Sequence, residues 1–251
     1  MALSWRQRRQ VLYYGVGGVL TLILLVVLWQ TFFSNQPTCF DGVQNQNERG
    51  IDCGGVCARL CAAEARAPVV LWNRPFESGA SAYTAVAYVE NRNTAAGAKN
   101  VRYSFKLYDE RGVLIAERLG VTTIPPIALV PIVETAIAAG NRIAVSSEFR
   151  FADEEIKWER NVRELSTLRI AQQNLSPDGA RLSVEVVNSS VIEARNTTIV
   201  AVLFDAAGVA RAASKSTIAR LPRQSSQAVV FTWPRGVPGV VRAEISVLPE
   251  F

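Results

Sequence analysis

All four cysteines of the chain lie in one short segment, at Cys39, Cys53, Cys57 and Cys61. The spacing C-x13-C-x3-C-x3-C lacks the paired CxxC knuckles that are usual in all-cysteine zinc sites. An even number of clustered cysteines favours disulfides when the segment lies outside the cytoplasm, which the membrane anchor described below predicts. We therefore expect two disulfides, with thiolate-bound zinc as the alternative.

Oxygen-bearing side chains are dense in the same segment. They are Asp41, Asn45, Asn47, Glu48 and Asp52. A sharply turning loop with this many oxygens suits calcium, which takes about six to eight oxygen ligands. Asp, Asn and Gly are also ordinary turn formers that hydrogen-bond to their own backbone. The residues therefore leave two interpretations open, a calcium site and a metal-free disulfide loop, and no other cofactor is expected.

Residues 39–61 follow the pattern CxDGxxNxxExGxDCGGxCxxxC. This pattern resembles a small Cys-rich motif of the DCGG type that recurs in many secreted and surface proteins, often beside adhesive or repeat domains. The resemblance implies a disulfide-stapled knot that can bind calcium, and it implies no reaction.

Few residues elsewhere are suited to catalysis. The chain has no histidine, the commonest general base near neutral pH, and no GxSxG, P-loop or GxGxxG motif. The acidic run at residues 153–155 is a candidate for glycoside hydrolysis, but adjacent carboxylates do not face each other across a sugar-sized cleft. Aromatic side chains that either stack on sugars or fill sandwich cores are Trp72, Trp158 and Trp233.

An uncharged apolar run covers residues 11–33. At about 1.5 Å per residue it is long enough to cross a hydrocarbon core of about 30 Å. Arg6, Arg8 and Arg9 precede it, so the positive-inside rule places residues 1–10 in the cytoplasm and the rest outside. A cleaved signal peptide is the alternative, but its apolar region is usually only about 7–15 residues long. We predict an uncleaved, single-pass signal anchor in the cell membrane.

The charge of the remaining chain is nearly balanced. Without those three arginines, 24 basic residues stand against 22 acidic ones. Nucleic-acid binding needs a concentrated basic patch, so no nucleic-acid partner is expected.

Short alternating runs follow the Cys-rich segment and a small-residue link at residues 62–68. Apolar residues occupy every second position, which is typical of strands with one buried face. The runs cover residues 82–91, 101–109, 143–151, 181–188, 198–205 and 240–248. The sequence therefore predicts an all-β ectodomain of half-buried strands.

An internal repeat divides this ectodomain. Asp109 and Gly112 recur 96 residues later as Asp205 and Gly208, together with several neighbours. Two similar sandwiches are predicted, at residues 66–158 and 159–251, each near the size of an Ig-like domain and each expected to fold alone. In both copies the Asp should cap a turn and the Gly should take a positive φ.

Residues 105–109 read FKLYD and resemble the FxLYD domain, a β-sandwich module named for its Phe-x-Leu-Tyr-Asp strand. Residues 201–205 of the second copy, AVLFD, keep only part of this pattern. The whole chain is similar to a group of bacterial single-pass membrane proteins, predicted from genomes of uncultured bacteria, that combine a DCGG-type Cys-rich motif with FxLYD-like, Ig-like sandwiches. The resemblance implies envelope or surface interaction domains without catalytic residues.

The sequence thus favours a membrane-anchored, extracytoplasmic module without enzymatic activity that serves adhesion, envelope assembly or spacing. Its expected partner, besides the membrane, is an envelope or surface protein or a polysaccharide. Its expected binding surface is formed by the loops at residues 176–179 and 234–238, because loops on a rigid scaffold tolerate functional variation. The alternative is an anchored hydrolase of envelope polymers or a transport accessory protein.

Overall fold

The computed structural model describes residues 5–33, 38–126, 128–152, 156–160 and 168–248. In these ranges one helix, α1 (Trp5–Phe33), precedes the Cys-rich segment and thirteen strands. The strands are β1 (Val69–Gly79), β2 (Ala82–Glu90), β3 (Ala96–Tyr108), β4 (Leu114–Ile124), β5 (Leu129–Ala138), β6 (Ser146–Phe151), β7 (Trp158–Arg160), β8 (Leu168–Leu175), β9 (Arg181–Asn188), β10 (Ala194–Asp205), β11 (Ala210–Leu221), β12 (Ser225–Thr232) and β13 (Val240–Leu248).

Helix α1 stands apart from the rest of the protein. Within Trp5–Gln30, an 18-residue stretch has a mean hydropathy of 2.4, and residues 5–30 are all exposed. A helix satisfies its own backbone hydrogen bonds, so an apolar one of this length is compatible with a membrane span.

The first sandwich is formed by two antiparallel sheets. One has the strand order β1-β2-β5 and the other the order β4-β3-β6, with β7 pairing beside the start of β3. Their facing sides enclose a core that includes Phe105 and Leu107 of β3 and Trp158 of β7. Because β7 ends at Arg160, strand pairing in the first sandwich extends through that residue.

The second sandwich repeats this topology. Its sheets have the orders β8-β9-β12 and β11-β10-β13, which correspond strand for strand to β1-β2-β5 and β4-β3-β6. Leu182, Ile199 and Leu203 lie in its core. The predicted all-β fold of two tandem sandwiches, preceded by an apolar helix and a disulfide-rich segment, is therefore confirmed.

The turn that follows β3 and its counterpart after β10 have the same geometry. Oδ1 of Asp109 accepts hydrogen bonds from two main-chain N–H groups of its turn at 3.0 and 2.8 Å, and Oδ1 of Asp205 does the same at 3.0 and 2.9 Å. Gly112 and Gly208 have φ values of 73° and 75°. Both predicted features of the repeat, the capping Asp and the glycine at positive φ, are present.

We predict that Gly112→Ala and Gly208→Ala each lower the free energy of unfolding by about 1 kcal/mol, because an L side chain is strained at positive φ. A Cβ at either position would meet open space, so the loss should come from the backbone alone. Gly79→Ala is the control, since Gly79 has no positive φ and its Cβ would only contact Ala82 at 3.9 Å. Urea unfolding of the full chain in micelles measures the losses, and equal stability of all three variants would contradict the strain.

The strands β2 and β10 differ from the predicted half-buried strands, because both of their faces are buried. Residues 83–89 of β2 and 199–204 of β10 are buried without interruption. On β10, Ile199, Ala201 and Leu203 face the core of the second sandwich, whereas the alternate residues face the first sandwich. A second sheet therefore covers the face that the period-two pattern had assigned to solvent.

The two sandwiches pack sheet against sheet. Val86 and Tyr88 of β2 contact Val200, Val202 and Phe204 of β10 in one apolar cluster, the inter-sandwich cluster. Tyr88 lies edge-on to Phe204 with ring centroids 6.3 Å apart. The order of the four layers is β4-β3-β6, β1-β2-β5, β11-β10-β13, β8-β9-β12. Because of this shared cluster, we predict that the two sandwiches unfold as one cooperative unit, whereas the sequence suggested that each folds alone.

Phe204→Ala should lower the free energy of unfolding by about 3–5 kcal/mol, since it empties a buried aromatic position between the sandwiches. Tyr108, at the corresponding position of the first copy, is not part of the inter-sandwich cluster, so Tyr108→Ala should cost about 1 kcal/mol or less. Urea unfolding of the full chain in micelles tests the pair. Similar losses for both variants would show that the inter-sandwich cluster contributes little.

Candidate functional site

The four cysteines form two disulfides. Cys39 is bonded to Cys57 and Cys53 to Cys61, with Cα–Cα distances of 5.7 and 5.0 Å. The expectation of two disulfides is confirmed. No free cysteine is left to bind zinc as a thiolate.

The carboxylates of the calcium hypothesis accept hydrogen bonds within their own loop. Asp41 accepts from the Thr38 and Val43 N–H groups and from the Asn45 amide, each at 2.9 Å. These bonds, with that from the Thr38 N–H the strongest, lower the pKa of Asp41. Asp52 accepts from a main-chain N–H across the loop at 3.1 Å.

Glu48 is the buried acid of this loop. Its Oε2 accepts from the N–H groups of Asn45 and Asp52 at 3.4 and 3.2 Å. Its Oε1 lies 2.9 Å from Sγ of Cys57, and because that sulfur is in a disulfide and carries no hydrogen, this is a close contact without a shared proton. Asn47 has a positive φ of 69° at the turn before Glu48. The hydrogen bonds agree with the metal-free loop, and calcium at these five residues stays a prediction.

The Cys-rich segment is fastened to the first sandwich. The Leu60 N–H donates to the Trp158 carbonyl at 2.9 Å, and the Arg160 N–H donates to the Ala58 carbonyl at 2.7 Å. The Arg160 guanidinium also donates to the Gly55 carbonyl at 2.8 Å. Strand β7 thus joins the Cys-rich segment to β3, so knot and sandwich share one hydrogen-bonded network.

The two loops that the sequence offered as a binding surface lie against each other. The Val237 N–H donates to the Asp178 carbonyl at 3.0 Å, and a Cβ on Gly179 would meet the Val237 carbonyl oxygen at 2.5 Å. Arg235 forms an ion pair with Glu77 of the first sandwich at 2.6 Å. The two loops therefore form a hydrogen-bonded pair, and an exposed ion pair links one of them to the first sandwich.

The three tryptophans that the sequence offered lie in three different places. Trp158 and Trp233 lie in the two cores, and Trp72 stacks on Tyr88 with ring centroids 4.6 Å apart. The acidic run at residues 153–155 lies outside the described residues.

A cleft of about 410 Å³ opens between the two sandwiches, and we take it as the candidate functional site. Its volume falls within the range of roughly 300–1,000 Å³ found for ligand sites. Its lining mixes aliphatic groups with neutral polar ones and includes one charged residue, Lys215. The lining residues are Asn100, Tyr103, Val121, Thr122, Thr123, Pro131, Ile132, Val133, Asn196, Thr198, Val200, Lys215, Thr217 and Leu248.

Three edge strands contribute to the walls of this cleft. In the described part of the chain, β4 pairs only with β3, β5 only with β2 and β11 only with β10. Val121–Thr123 of β4, Pro131–Val133 of β5 and Lys215 and Thr217 of β11 line the cleft. An edge strand presents main-chain N–H and C=O groups that its own sheet does not use.

A buried carboxylate lies beside the cleft. Glu134 of β5 accepts a hydrogen bond from the Tyr103 hydroxyl at 2.7 Å and is paired with Lys215 of β11 at 3.1 Å. Arg118 of β4 lies 3.6 Å from its second oxygen. Glu134 therefore connects both sheets of the first sandwich to the second sandwich.

Local sequence makes this arrangement possible. Gly120 is the cross-strand partner of Tyr103, and a Cβ there would lie 2.4 Å from the Tyr103 ring and hydroxyl. The absence of a side chain lets the ring pass over β4 toward Glu134. Burial, reinforced by the Glu134 charge, raises the pKa of Tyr103 far above its usual range, so its hydroxyl stays a hydrogen-bond donor.

Tyr103→Phe should lower the free energy of unfolding by about 1–3 kcal/mol, because it removes the neutral donor to a buried carboxylate. Tyr108→Phe is the matched control, since the Tyr108 hydroxyl donates to Glu148 at the protein surface at 2.9 Å. Urea unfolding of both variants in micelles measures the difference. If the two losses are equal, the buried hydrogen bond has no special role.

Sequence reasoning missed Glu134 and the cleft. The available signal was a lone acid within the apolar strand LVPIVETAIA of β5. A carboxylate in such a strand needs partners, because burying an unpaired charge is costly. Its partners at positions 103, 118 and 215 are distant in sequence, so no local spacing indicates them.

Comparison with known proteins finds no matching protein-family model and no matching curated protein.

Proposed function

We propose that the chain is a membrane-anchored, extracytoplasmic binding module without enzymatic activity, which holds an extended polypeptide segment of an envelope or surface partner in the inter-sandwich cleft. The observation that carries the proposal is the set of edge strands β4, β5 and β11 around the cleft. An extended peptide adds to such an edge through main-chain hydrogen bonds, while pockets beside the edge select its side chains.

The lining fits a peptide of low charge. Asn100, Asn196, Thr198 and Thr217 offer neutral donors and acceptors, and Val121 and Leu248 are among the aliphatic contacts for alternate side chains. The charges of Lys215 and Glu134 are paired with each other. A peptide whose side chains are neutral, or of mixed charge, therefore suits the cleft better than a strongly charged polymer.

Binding without turnover is supported by the state of the ionisable groups beside the cleft. The Glu134 carboxylate accepts a hydrogen bond from Tyr103 and forms an ion pair with Lys215. Burial raises the pKa of Tyr103 further from neutral pH. General acid–base catalysis works best with a group whose pKa lies near the working pH. These groups are arranged to hold the layers together.

The continuity of the structure supports a role in adhesion, assembly or spacing. Hydrogen bonds join the Cys-rich segment to the first sandwich, and the inter-sandwich cluster joins the first sandwich to the second. A partner in the cleft would be held at a set distance from the segment that follows α1. The basic residues Arg6, Arg8 and Arg9 favour placing this assembly on the outer side of the membrane.

An FxLYD-like, Ig-like relationship forms part of the same proposal. It is supported by β3, where Phe105 and Leu107 point into the core and Asp109 caps the next turn. The alternation of the motif is thus explained by burial of its first and third residues.

The test uses the full chain in nanodiscs and a library of fluorescent extended peptides, with binding measured by anisotropy. Thr217→Arg places a long side chain in the cleft and should weaken binding at least about tenfold, since it blocks the strand edge of β11. Thr232→Arg is the control, because Thr232 is exposed on β12 and does not line the cleft. Peptides with N-methylated backbones should bind the parent chain as weakly as unmodified peptides bind the Thr217→Arg variant.

Equal binding by both variants would place the site elsewhere. Retention of envelope polysaccharide, but of no peptide, by the parent chain would replace the peptide partner with a polysaccharide. Steady product formation that a single Asp or Glu substitution abolishes would favour the anchored hydrolase instead.

A further inference from the structure

The Cys-rich segment exposes several large apolar side chains. Phe40 is 86% exposed, Val43 59%, Ile51 61% and Val56 63%. Isolated apolar residues are common on protein surfaces, but a group of them marks a contact surface.

These four residues flank a disulfide and a hydrogen bond of the knot. Phe40 and Val56 adjoin the two halves of the Cys39–Cys57 disulfide, whose Cα atoms are 5.7 Å apart. Val43 and Ile51 adjoin the hydrogen bond from the Gly42 N–H to the Asp52 carboxylate at 3.1 Å. All four exposed side chains therefore lie on the same small cross-linked knot, and we refer to them together as the apolar foot.

The other end of the knot is already occupied. Leu60 and Ala65 pack against the core of the first sandwich, and the main chain at residues 58–60 pairs with β7. The apolar foot lies in the part of the knot that precedes this attachment. It therefore remains available to another partner while the knot stays fixed to the sandwich.

The short distance along the chain between α1 and the knot indicates what that partner is. Helix α1 ends at Phe33 and the described knot begins at Thr38, so five peptide steps separate them. Five steps reach at most about 18 Å. The headgroup layer outside the hydrocarbon core is itself roughly 5–8 Å thick. A knot tied this closely to a membrane helix is held beside the bilayer surface.

We propose that the apolar foot inserts into the outer interface of the bilayer and makes the knot a membrane-lying base that sets the orientation of both sandwiches. The inference rests on the membrane anchor of the proposed function and adds a second membrane contact to it. Aromatic and aliphatic side chains favour the boundary between headgroups and acyl chains. Since the knot is hydrogen-bonded to β7, insertion of the foot orients the first sandwich and, through the inter-sandwich cluster, the second.

The experiment measures the contact of single tryptophans with lipid. The full chain carrying Phe40→Trp is placed in phosphatidylcholine nanodiscs and in nanodiscs of the same lipid brominated on its acyl chains. Subtracting the parent emission isolates the added tryptophan. Bromine should lower the added emission about twofold or more, because quenching requires contact with acyl chains. Ile51→Trp is a second variant at the foot, and Val230→Trp on β12, exposed and remote from the knot, should be unaffected.

Measurements on the parent chain distinguish the membrane anchor from insertion of the apolar foot. Trp29 in α1 should be quenched by brominated lipid if the helix spans the bilayer. If the parent is quenched and both foot variants are not, the apolar foot does not insert and the inference is overturned while the anchor stands. If the parent is not quenched either, the anchor itself fails. Emission at the foot that changes with protein concentration, and not with bromine, would assign the patch to a second copy of the chain and also overturn the inference.

Discussion

Burial of the outer faces of two sheets against each other is the constraint on which the architecture depends. In a single sandwich each sheet has one buried face, and its outer face can be polar. Here β2 and β10 lie at the centre of a four-layer stack, so every position along their middle sections must be apolar or hydrogen-bonded. Tyr88 meets this requirement by stacking on Trp72, contacting Phe204 and donating its hydroxyl to Glu244 at 3.1 Å. The cleft opens where edge strands β5 and β11 of these two sheets and the edge strand β4 of the outer sheet lie near one another, and no pairing joins the three in the described residues.

This constraint also explains why the two copies of the repeat have diverged. Lys106 and Tyr108 of β3 face the outside of the stack, where Lys106 lies 3.9 Å from Glu117 and Tyr108 bonds to Glu148. At the corresponding positions of β10, Val202 and Phe204 lie inside the inter-sandwich cluster. The second copy therefore carries apolar side chains where FKLYD has a lysine and a tyrosine. The residues that serve each copy alone, the capping Asp and the glycine of its turn, are the same in both copies.

Local features of the fold were predictable from the sequence, whereas the relation between its parts was not. Period-two patterns indicate strands, and the recurring Asp and Gly indicate the turns, because both signals lie within a few residues of the structure that they specify. The uninterrupted apolar runs at residues 85–89 and 199–204 are typical of strands buried on both faces, but they do not say which sheet provides the cover. The candidate site was less predictable from the sequence than the fold. Glu134 of β5 and its three partners come from four different strands, the partners from β3, β4 and β11, and only the stacked sheets bring them together. The disulfides were predictable as a pair, while their connectivity required the path of the loop.

The buried Glu134 has a consequence for how the sandwiches are aligned. Apolar sheets can slide over each other at little cost, because dispersion and hydrophobic contacts are not directional. A buried carboxylate is different, since removal from water costs several kcal/mol unless charged or hydrogen-bonding partners are in place. Glu134 finds a donor from the first layer in Tyr103 and a cation from the third layer in Lys215, and both partners meet it in one alignment of the layers. We infer that Glu134 selects this alignment over shifted ones. The edges of β4 and β11 line the cleft next to it, so the same carboxylate sets the spacing of the walls between which a partner strand would lie.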